Sequence, residues 1–283
     1  MKRLTVPAGM PDAAHSAWRV ALRRAAHQLF DEPVVFEDPL AVRLLGAAGA
    51  EALRRTPAAA GRVWSKGLRA FVVARSAFAE DCLAEAYAVG IRQYCLLGAG
   101  LDTFALRNPW GDLRVIELDL PEVQRWKQVL AAEAGLVFDG RCGWVAGDLE
   151  RMAWPPEGMD AGRPAVFALL GVAPFLLPEA LRLVLGRVRG FAAGTVLVFD
   201  YRLPREALGA EEQWQQDSLQ KRATAKGEPF REGWTVEGMA RELEGFARVE
   251  DVGRGELNTR YFAGRGDGLA VKGEAVRVVR AWV

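Results

Sequence analysis

The chain of 283 residues is poor in the groups that most often carry chemistry. Two histidines, His15 and His27, are too few for a histidine-rich metal centre. Three cysteines, Cys82, Cys95 and Cys142, cannot build a disulfide framework, and their spacing matches no zinc module, so they are expected reduced and buried. Nowhere do about 18 apolar residues run together without a charge, so no membrane span is expected. The first thirty residues hold Arg19, Arg23 and Arg24 where an export signal needs an apolar stretch, which predicts a cytoplasmic protein. Excess charge is missing too: 37 basic and 36 acidic residues leave +1, which argues against a broad nucleic-acid surface. Isoleucine (Ile91, Ile116) and asparagine (Asn108, Asn258) occur twice each. The first reads as coding bias, and the second is compatible with heat tolerance without establishing it.

What is present is apolar and periodic. Hydrophobic residues make up 51% of the chain, ample for a deep core. No repeat or low-complexity tract interrupts it. The first 90 residues read as helix: His15 to Leu29 with Trp18, Leu22, Ala25, Ala26 and Leu29 at helical spacing, then a short helix opened by Asp38-Pro39, then a long one from Arg62 to Ala88 that Gly90 ends. From Ile91 short apolar runs alternate with helical stretches: Gln93–Leu97, Leu113–Leu118, Trp144–Ala146, Ala165–Leu170 and Thr195–Phe199, with helices at Glu122–Ala134 and Pro178–Phe191. That alternation predicts an α/β, doubly wound sheet with ligands at the carboxyl ends of its strands. Residues 203–234 are polar and long for a connection, with a helix at Glu211–Arg222, and predict a lid or substrate-facing insertion. A helix at Val236–Leu243 and strands at Ala247–Val252, Thr259–Ala263 and Val276–Trp282 follow, the last two expected to include an antiparallel edge pair.

The first apolar strand runs into Gly98-Ala99-Gly100, where glycine permits a tight turn and close backbone approach to a ligand. A third glycine of a dinucleotide fingerprint is replaced by Thr103, and a plain strand-to-helix turn would use the same pair. About twenty residues on, Glu117 and Asp119 share one face of the next strand, and either is placed to hold a ribose diol; Asp119 is equally placed to cap the following helix. After the third strand, Asp148 offers a hydrogen bond to an adenine amino group and Leu149 an apolar contact to the base, though Gly147-Asp148 is also an ordinary turn.

With these segments in hand, the chain resembles the leucine carboxyl methyltransferase-like family of S-adenosylmethionine-dependent O-methyltransferases, which includes bacterial enzymes that methylate carboxyl groups of polyketide-type metabolites. The matching stretches, covering roughly residues 14–265, are Ser16 to Ala25, Phe36-Glu37-Asp38-Pro39-Leu40-Ala41, Leu97-Gly98-Ala99-Gly100-Leu101-Asp102-Thr103, Glu117-Leu118-Asp119-Leu120-Pro121-Glu122-Val123, Phe199-Asp200-Tyr201 and Tyr261 to Arg265. The resemblance implies a seven-stranded, mostly parallel, Rossmann-like sheet in a single domain. In it, 1–90 form a helical cap, 91–202 the cofactor core, 203–234 the lid and 235–283 the completion of the sheet. It places Gly98, Ala99 and Gly100 along the methionine part of S-adenosylmethionine, Asp119 on the ribose, Asp148 and Leu149 at adenine, Arg75 on the cofactor carboxylate, Arg24 as a second basic residue, and Asp102 beside them. Where relatives carry an acidic residue after the fourth strand, this chain has Leu170, so contact there is expected to be apolar or through backbone.

A carboxylate acceptor is already ionised at neutral pH and needs no general base, which suits a chain with two histidines. Arg19, Tyr201, Arg202 and Arg260 are the candidates to orient it, and both histidines are expected on helix surfaces. Trp64, Trp214 and Trp234 are candidates for an acceptor pocket or for core packing. Residues 1–75 hold 12 basic against 6 acidic side chains, an entrance suited to an anionic small molecule or peptide terminus. A nicotinamide oxidoreductase is disfavoured by the missing third glycine and by the absence of a Tyr-x-x-x-Lys pattern. A methyltransferase fold that binds without turnover remains the alternative that Leu170 keeps open.

Overall fold

Apolar runs bounded by Gly, Pro and Asp become strands buried on both faces, and the periodic stretches between them cover those faces. The computed structural model describes residue 7 and residues 9–55 and 63–283, with no side chain given for 63–65. Among the described residues the α-helices α1 His15–Phe30, α2 Pro39–Leu44, α3 Gly46–Arg54 and α4 Val63–Ala88 come first. Asp38 caps α2 by accepting a bond from the Ala41 N–H at 3.2 Å, with Pro39 in the first turn. Gly90, at φ +100°, ends α4 in a conformation that other residues rarely adopt. The start expected at Arg62 lies outside the described residues.

The sheet elements then alternate with helices: β1 Gln93–Leu97, α5 Phe104–Arg107, β2 Arg114–Asp119, α6 Pro121–Glu133, β3 Cys142–Ala146, β4 Val166–Leu169, α7 Pro178–Arg189 and β5 Val196–Arg202. After α8 (Ala210–Thr224) and α9 (Val236–Glu242) come β6 Arg248–Val252, α10 Arg254–Tyr261 and β7 Val276–Trp282. The strands form one seven-stranded sheet of order β3-β2-β1-β4-β5-β7-β6. β7 runs antiparallel between β5 and β6, with Val196 opposite Trp282 and Val252 opposite Val278. β1 is central, Tyr94 facing Val115 on one side and Val166 on the other.

Alternate residues of each strand feed two layers. Tyr94, Leu96, Val115, Val166 and Val198 meet Phe71, Phe78 and Leu83 of α4. Cys95, Leu97, Ile116, Phe167 and Phe199 meet Leu181, Val184, Leu185 and Val188, the apolar stripe of α7. A third cluster joins α1 to α6, with the Trp18 and Trp126 rings edge-on at 6.1 Å. All three cysteines are free; Cys82 and Cys95 are buried and Cys142 half-buried. Among the described residues no helix is long and apolar enough to cross a membrane.

Two expectations about the C-terminal part are corrected. Thr259–Ala263 is not a strand: Thr259 to Tyr261 close α10, which buries Leu257 and carries the Glu256–Arg260 pair one turn apart at 3.2 Å. Asn258 further fixes that helix by bonding both the N–H and the carbonyl of Val271. The antiparallel partner of Val276–Trp282 at the edge is instead Arg248–Val252.

Glu117 does not reach the strand tip. Its side chain is fully buried, ion-paired to Lys127 of α6, and its Oε1 has no hydrogen-bond partner among the described residues. Burial pushes this carboxyl up to about 7, against the pull of Lys127. The folded chain thus holds the Glu117 proton more tightly than an unfolded one, whose carboxyl titrates near 4.5. The stabilisation is complete below about pH 4.5 and is lost as pH rises through about 7, at most roughly 3 kcal/mol. Urea unfolding from pH 5 to 8 is expected to show that decline, and Glu117→Gln to flatten it; an unaltered slope would contradict the assignment.

Candidate functional site

A cavity of about 590 Å³ opens at the carboxyl ends of β1, β2 and β4, where the strand order reverses. Its floor is the turn after β1. Gly98 and Gly100 adopt φ +73° and +48°, and the N–H groups of Gly98 and Ala99 both bond the Leu118 carbonyl, at 2.8 and 3.0 Å. A Cβ at Gly98 would lie 2.4 Å from Val172 Cγ2, and one at Gly100 3.0 Å from Ala17 Cβ. The turn is therefore pressed between the loop after β4 and α1, and only glycine fits both places.

Asp119 stands at the tip of β2 and lines the cavity. Its Oδ2 accepts from the Gly100 N–H at 2.6 Å and its Oδ1 from the Leu120 N–H at 2.7 Å. Burial raises this carboxyl above its ordinary range even against those two donors. Gly147 continues the wall, its N–H bonding the Asp119 carbonyl at 3.0 Å. Asp148 and Leu149 follow it into the lining, and Arg187 of α7 holds the Leu149 carbonyl at 2.6 Å. Leu170 and Val172, after β4, form an apolar side of the cavity.

Arg24 reaches the cavity from α1 and is buried, its donors divided among Asp38 (2.8 Å), Asp102 (2.6 Å) and Thr103 (3.1 Å). Thr103 also donates to Asp38 at 2.6 Å, and Arg107 bonds both Thr103 and Glu80. Burial opposes charge on Asp102, yet Arg24 and Arg107 hold its carboxyl far below the usual range. This network ties α1 to the turn after β1. Arg75 of α4 lines the opposite part and donates to Asp200, at the end of β5, at 2.8 Å. Asp200 also accepts from the Gly171 N–H, so one buried carboxylate fixes both Arg75 and the loop after β4.

The structure thus brings Arg24, Arg75, Gly98, Ala99, Gly100, Asp102, Asp119, Asp148, Leu149 and Leu170 into one cavity. Other candidates lie elsewhere. Glu117 is under α6, as described. Tyr201 donates to Asp251 at 2.7 Å on the β6 side, and Arg260 pairs with Glu250 and Glu256 beside Phe78. Arg19 and Arg202 line a separate cavity, which Trp214 also borders. Trp234 is half-buried against the α7 layer, and the Trp64 side chain lies outside those described. His27 is not on a surface: it is fully buried, Nδ1 donating to Asp31 at 2.9 Å while Nε2 accepts from the Val35 and Phe36 N–H groups. Both of its nitrogens are committed to structure; burial pushes the Asp31 carboxyl up, but the bonds from His27 and Arg69 outweigh it and hold Asp31 below its ordinary range.

Sequence reasoning missed the roof. Val20 and Ser16 of α1 face the cavity one and two turns before Arg24, a spacing visible only once Arg24 is known to point inward. Glu228, in the segment after α8, lines it too and accepts from the Ser16 N–H at 2.9 Å. Asp200 had a signal in Phe199-Asp200-Tyr201 and Arg75 was already a candidate, but no local pattern shows that the two, 125 residues apart, are paired.

A parallel sheet of this order closed by an antiparallel seventh strand, with a glycine turn after β1 and an acidic tip on β2, defines a class I, Rossmann-like S-adenosylmethionine-dependent methyltransferase. A family model, leucine carboxyl methyltransferase, matches residues 17–189. The chain belongs to that family. It is 27% identical over 278 residues to the Bacillus subtilis protein named "Putative S-adenosyl-L-methionine-dependent methyltransferase YktD", covering 88% of this chain and 91% of that one. A Mycobacterium marinum protein of the same printed description is 31% identical over 245 residues, covering 81% and 75%. A crystal structure of a DUF574 family protein from Streptomyces avermitilis shares the fold, with TM-score 0.60, 19% identity and coverage of 95% and 97%.

The residues present fit the family's cofactor. The turn Gly98-Ala99-Gly100, held by packing that admits only glycine at its two ends, lines the cavity together with the carboxylate at the β2 tip and Arg75, fixed by Asp200. Leu170 places an apolar side chain on the lining after β4.

Proposed function

We propose that this chain is an O-methyltransferase that esterifies a carboxylate of an anionic small molecule or peptide terminus. When bound, S-adenosylmethionine supplies an electrophilic methyl group on a sulfonium. Asp119 would accept from the ribose hydroxyls, Asp148 and Leu149 would flank the adenine, and Arg75, held by Asp200, would pair with the cofactor carboxylate. The glycine turn brings its backbone against the methionine part, and Leu170 keeps that wall dry. In-line displacement requires alignment of acceptor oxygen, methyl carbon and sulfur, so positioning is the main catalytic task.

The observation that carries the carboxylate reading is the charge at the mouth. Lys226 and Arg231, from the segment after α8, border the cavity, and neither has an ion-pair partner among the described residues. They suit an acceptor that arrives ionised, and such an acceptor leaves no proton to remove. The same segment reaches α1 through Glu228 and Ser16, and we assign residues 203–234 the role of a lid.

Incubation with methyl-labelled S-adenosylmethionine and matched panels of carboxylic acids and alcohols tests this. S-adenosylhomocysteine is expected from the acids, with the label released as methanol in mild alkali. Alkali-stable label would move the acceptor atom away from a carboxylate. Cofactor binding without turnover on any acceptor would favour the non-catalytic reading.

A further inference from the structure

The second cavity, about 490 Å³, lies between α1, α4, α8 and the end of β5. Arg19, Arg23, Arg202, Arg222 and Lys272 line it, against one carboxylate, Glu212. Glu212 is committed elsewhere, its Oε1 accepting from the Glu274 and Ala275 N–H groups. Among the described residues these five cations make no ion pair within 4.0 Å. Arg23 donates to the Arg19 carbonyl at 2.8 Å, and Arg202 lies over the Phe230 ring at 4.2 Å. Both are half-buried. Burial pushes Arg202 down to about 10, and burial with the repulsion of Arg19, Arg75, Arg222 and Arg69 pushes Arg23 down to about 9. Guanidinium groups gathered this way repel one another until an anion enters.

The two cavities adjoin. Ser16, Val20 and Arg24 face the first from α1, while Arg19 and Arg23 face the second from the same turns. Phe175, which lines the first, meets the Phe230 ring at 4.9 Å with a 30° tilt, and Arg202 lies over that same ring. Gln216, in the lining of the second, has a buried Oε1 with no partner among the described residues, an acceptor for a ligand hydroxyl.

We propose that the second cavity holds an acidic group of the acceptor other than the one methylated, so that the substrate is a small molecule with at least two acidic groups. This rests on the carboxylate O-methyltransferase reading and narrows its acceptor class. The shared chemistry is a multiply charged oxyanion, whether phosphoryl or a set of carboxylates.

Calorimetry with inorganic pyrophosphate and with tricarballylate, each alone and after saturation with S-adenosylhomocysteine, separates the outcomes. At least one probe is expected to bind whether or not S-adenosylhomocysteine is present, and the one that binds identifies the anion class. Arg202→Gln with Arg222→Gln is expected to weaken that binding at least about tenfold while S-adenosylhomocysteine affinity stays within about twofold, which also reports that the variant folds. Binding of neither probe, binding abolished by S-adenosylhomocysteine, or binding that survives the double substitution overturns the proposal. A wild-type chain that fails to bind S-adenosylhomocysteine would instead strike at the methyltransferase reading, and the probe arms are read independently of it.

Discussion

Gly98→Ala is expected to lower affinity for S-adenosylhomocysteine by at least about 100-fold, close to 3 kcal/mol. The backbone at Gly98 has φ +73°, and the added methyl would meet Val172 Cγ2 at 2.4 Å, so the turn or the loop after β4 has to move. Either movement shifts the donors and walls that shape the floor of the cavity. Backbone strain alone costs on the order of 1–3 kcal/mol, and a control isolates it. Gly46 has φ +67° with nothing within 4 Å of its would-be Cβ. Gly46→Ala should therefore lower the melting temperature without touching ligand affinity. Titration of both variants decides the matter: a Gly98→Ala chain that binds within threefold of the parent removes the turn from the cofactor site.

Arg24→Met is expected to cost about 3 kcal/mol of folding stability, because it removes the cation bonded to both Asp38 and Asp102 and leaves them only the more distant Arg107, 3.6 Å from Asp38. The acid limb should change as well. Asp102 is held far below its ordinary 3.8, so its contribution is present above that range and disappears as pH falls through its folded value. Without Arg24 that loss should begin at higher pH. Urea unfolding across pH 3 to 7 measures both effects. Adding Asp102→Asn to Arg24→Met is expected to recover part of the loss, since one uncompensated charge is gone. Equal stability of Arg24→Met and the parent would mean that the network contributes nothing net.

The strands were legible where burial on both faces leaves an uninterrupted apolar run. Gln93–Leu97, buried throughout, is read with the bounds it has in the fold; Val276–Trp282 is too, although Arg277 and Arg280 interrupt its apolar residues and it is only partly buried. Thr259–Ala263 was misread because five residues rich in β-formers look alike whether they form an edge strand or close a short helix. The deciding contacts, Asn258 to Val271 and Glu256 to Arg260, require the chain on either side. His27 was misplaced for a related reason. A polar residue in an amphipathic helix is expected outward, but here the backbone N–H groups of Val35 and Phe36 need an acceptor, and the imidazole supplies it.

By itself, the sequence determined the order of the first five strands, the glycine turn and the acidic strand tip, because each depends on neighbours within a few residues and on a period of two or 3.6. The tertiary structure alone shows that Asp119 and not Glu117, two residues away on the same strand face, lines the cavity, since only the packing of α6 reveals which carboxylate is covered and paired to Lys127. It also decided which α1 arginines serve which cavity. Arg24 meets two carboxylates from distant segments, while Arg19 and Arg23, on the adjoining face, meet other arginines. Charge balance of that kind is a property of groups brought together across the fold, and no stretch of chain encodes it locally.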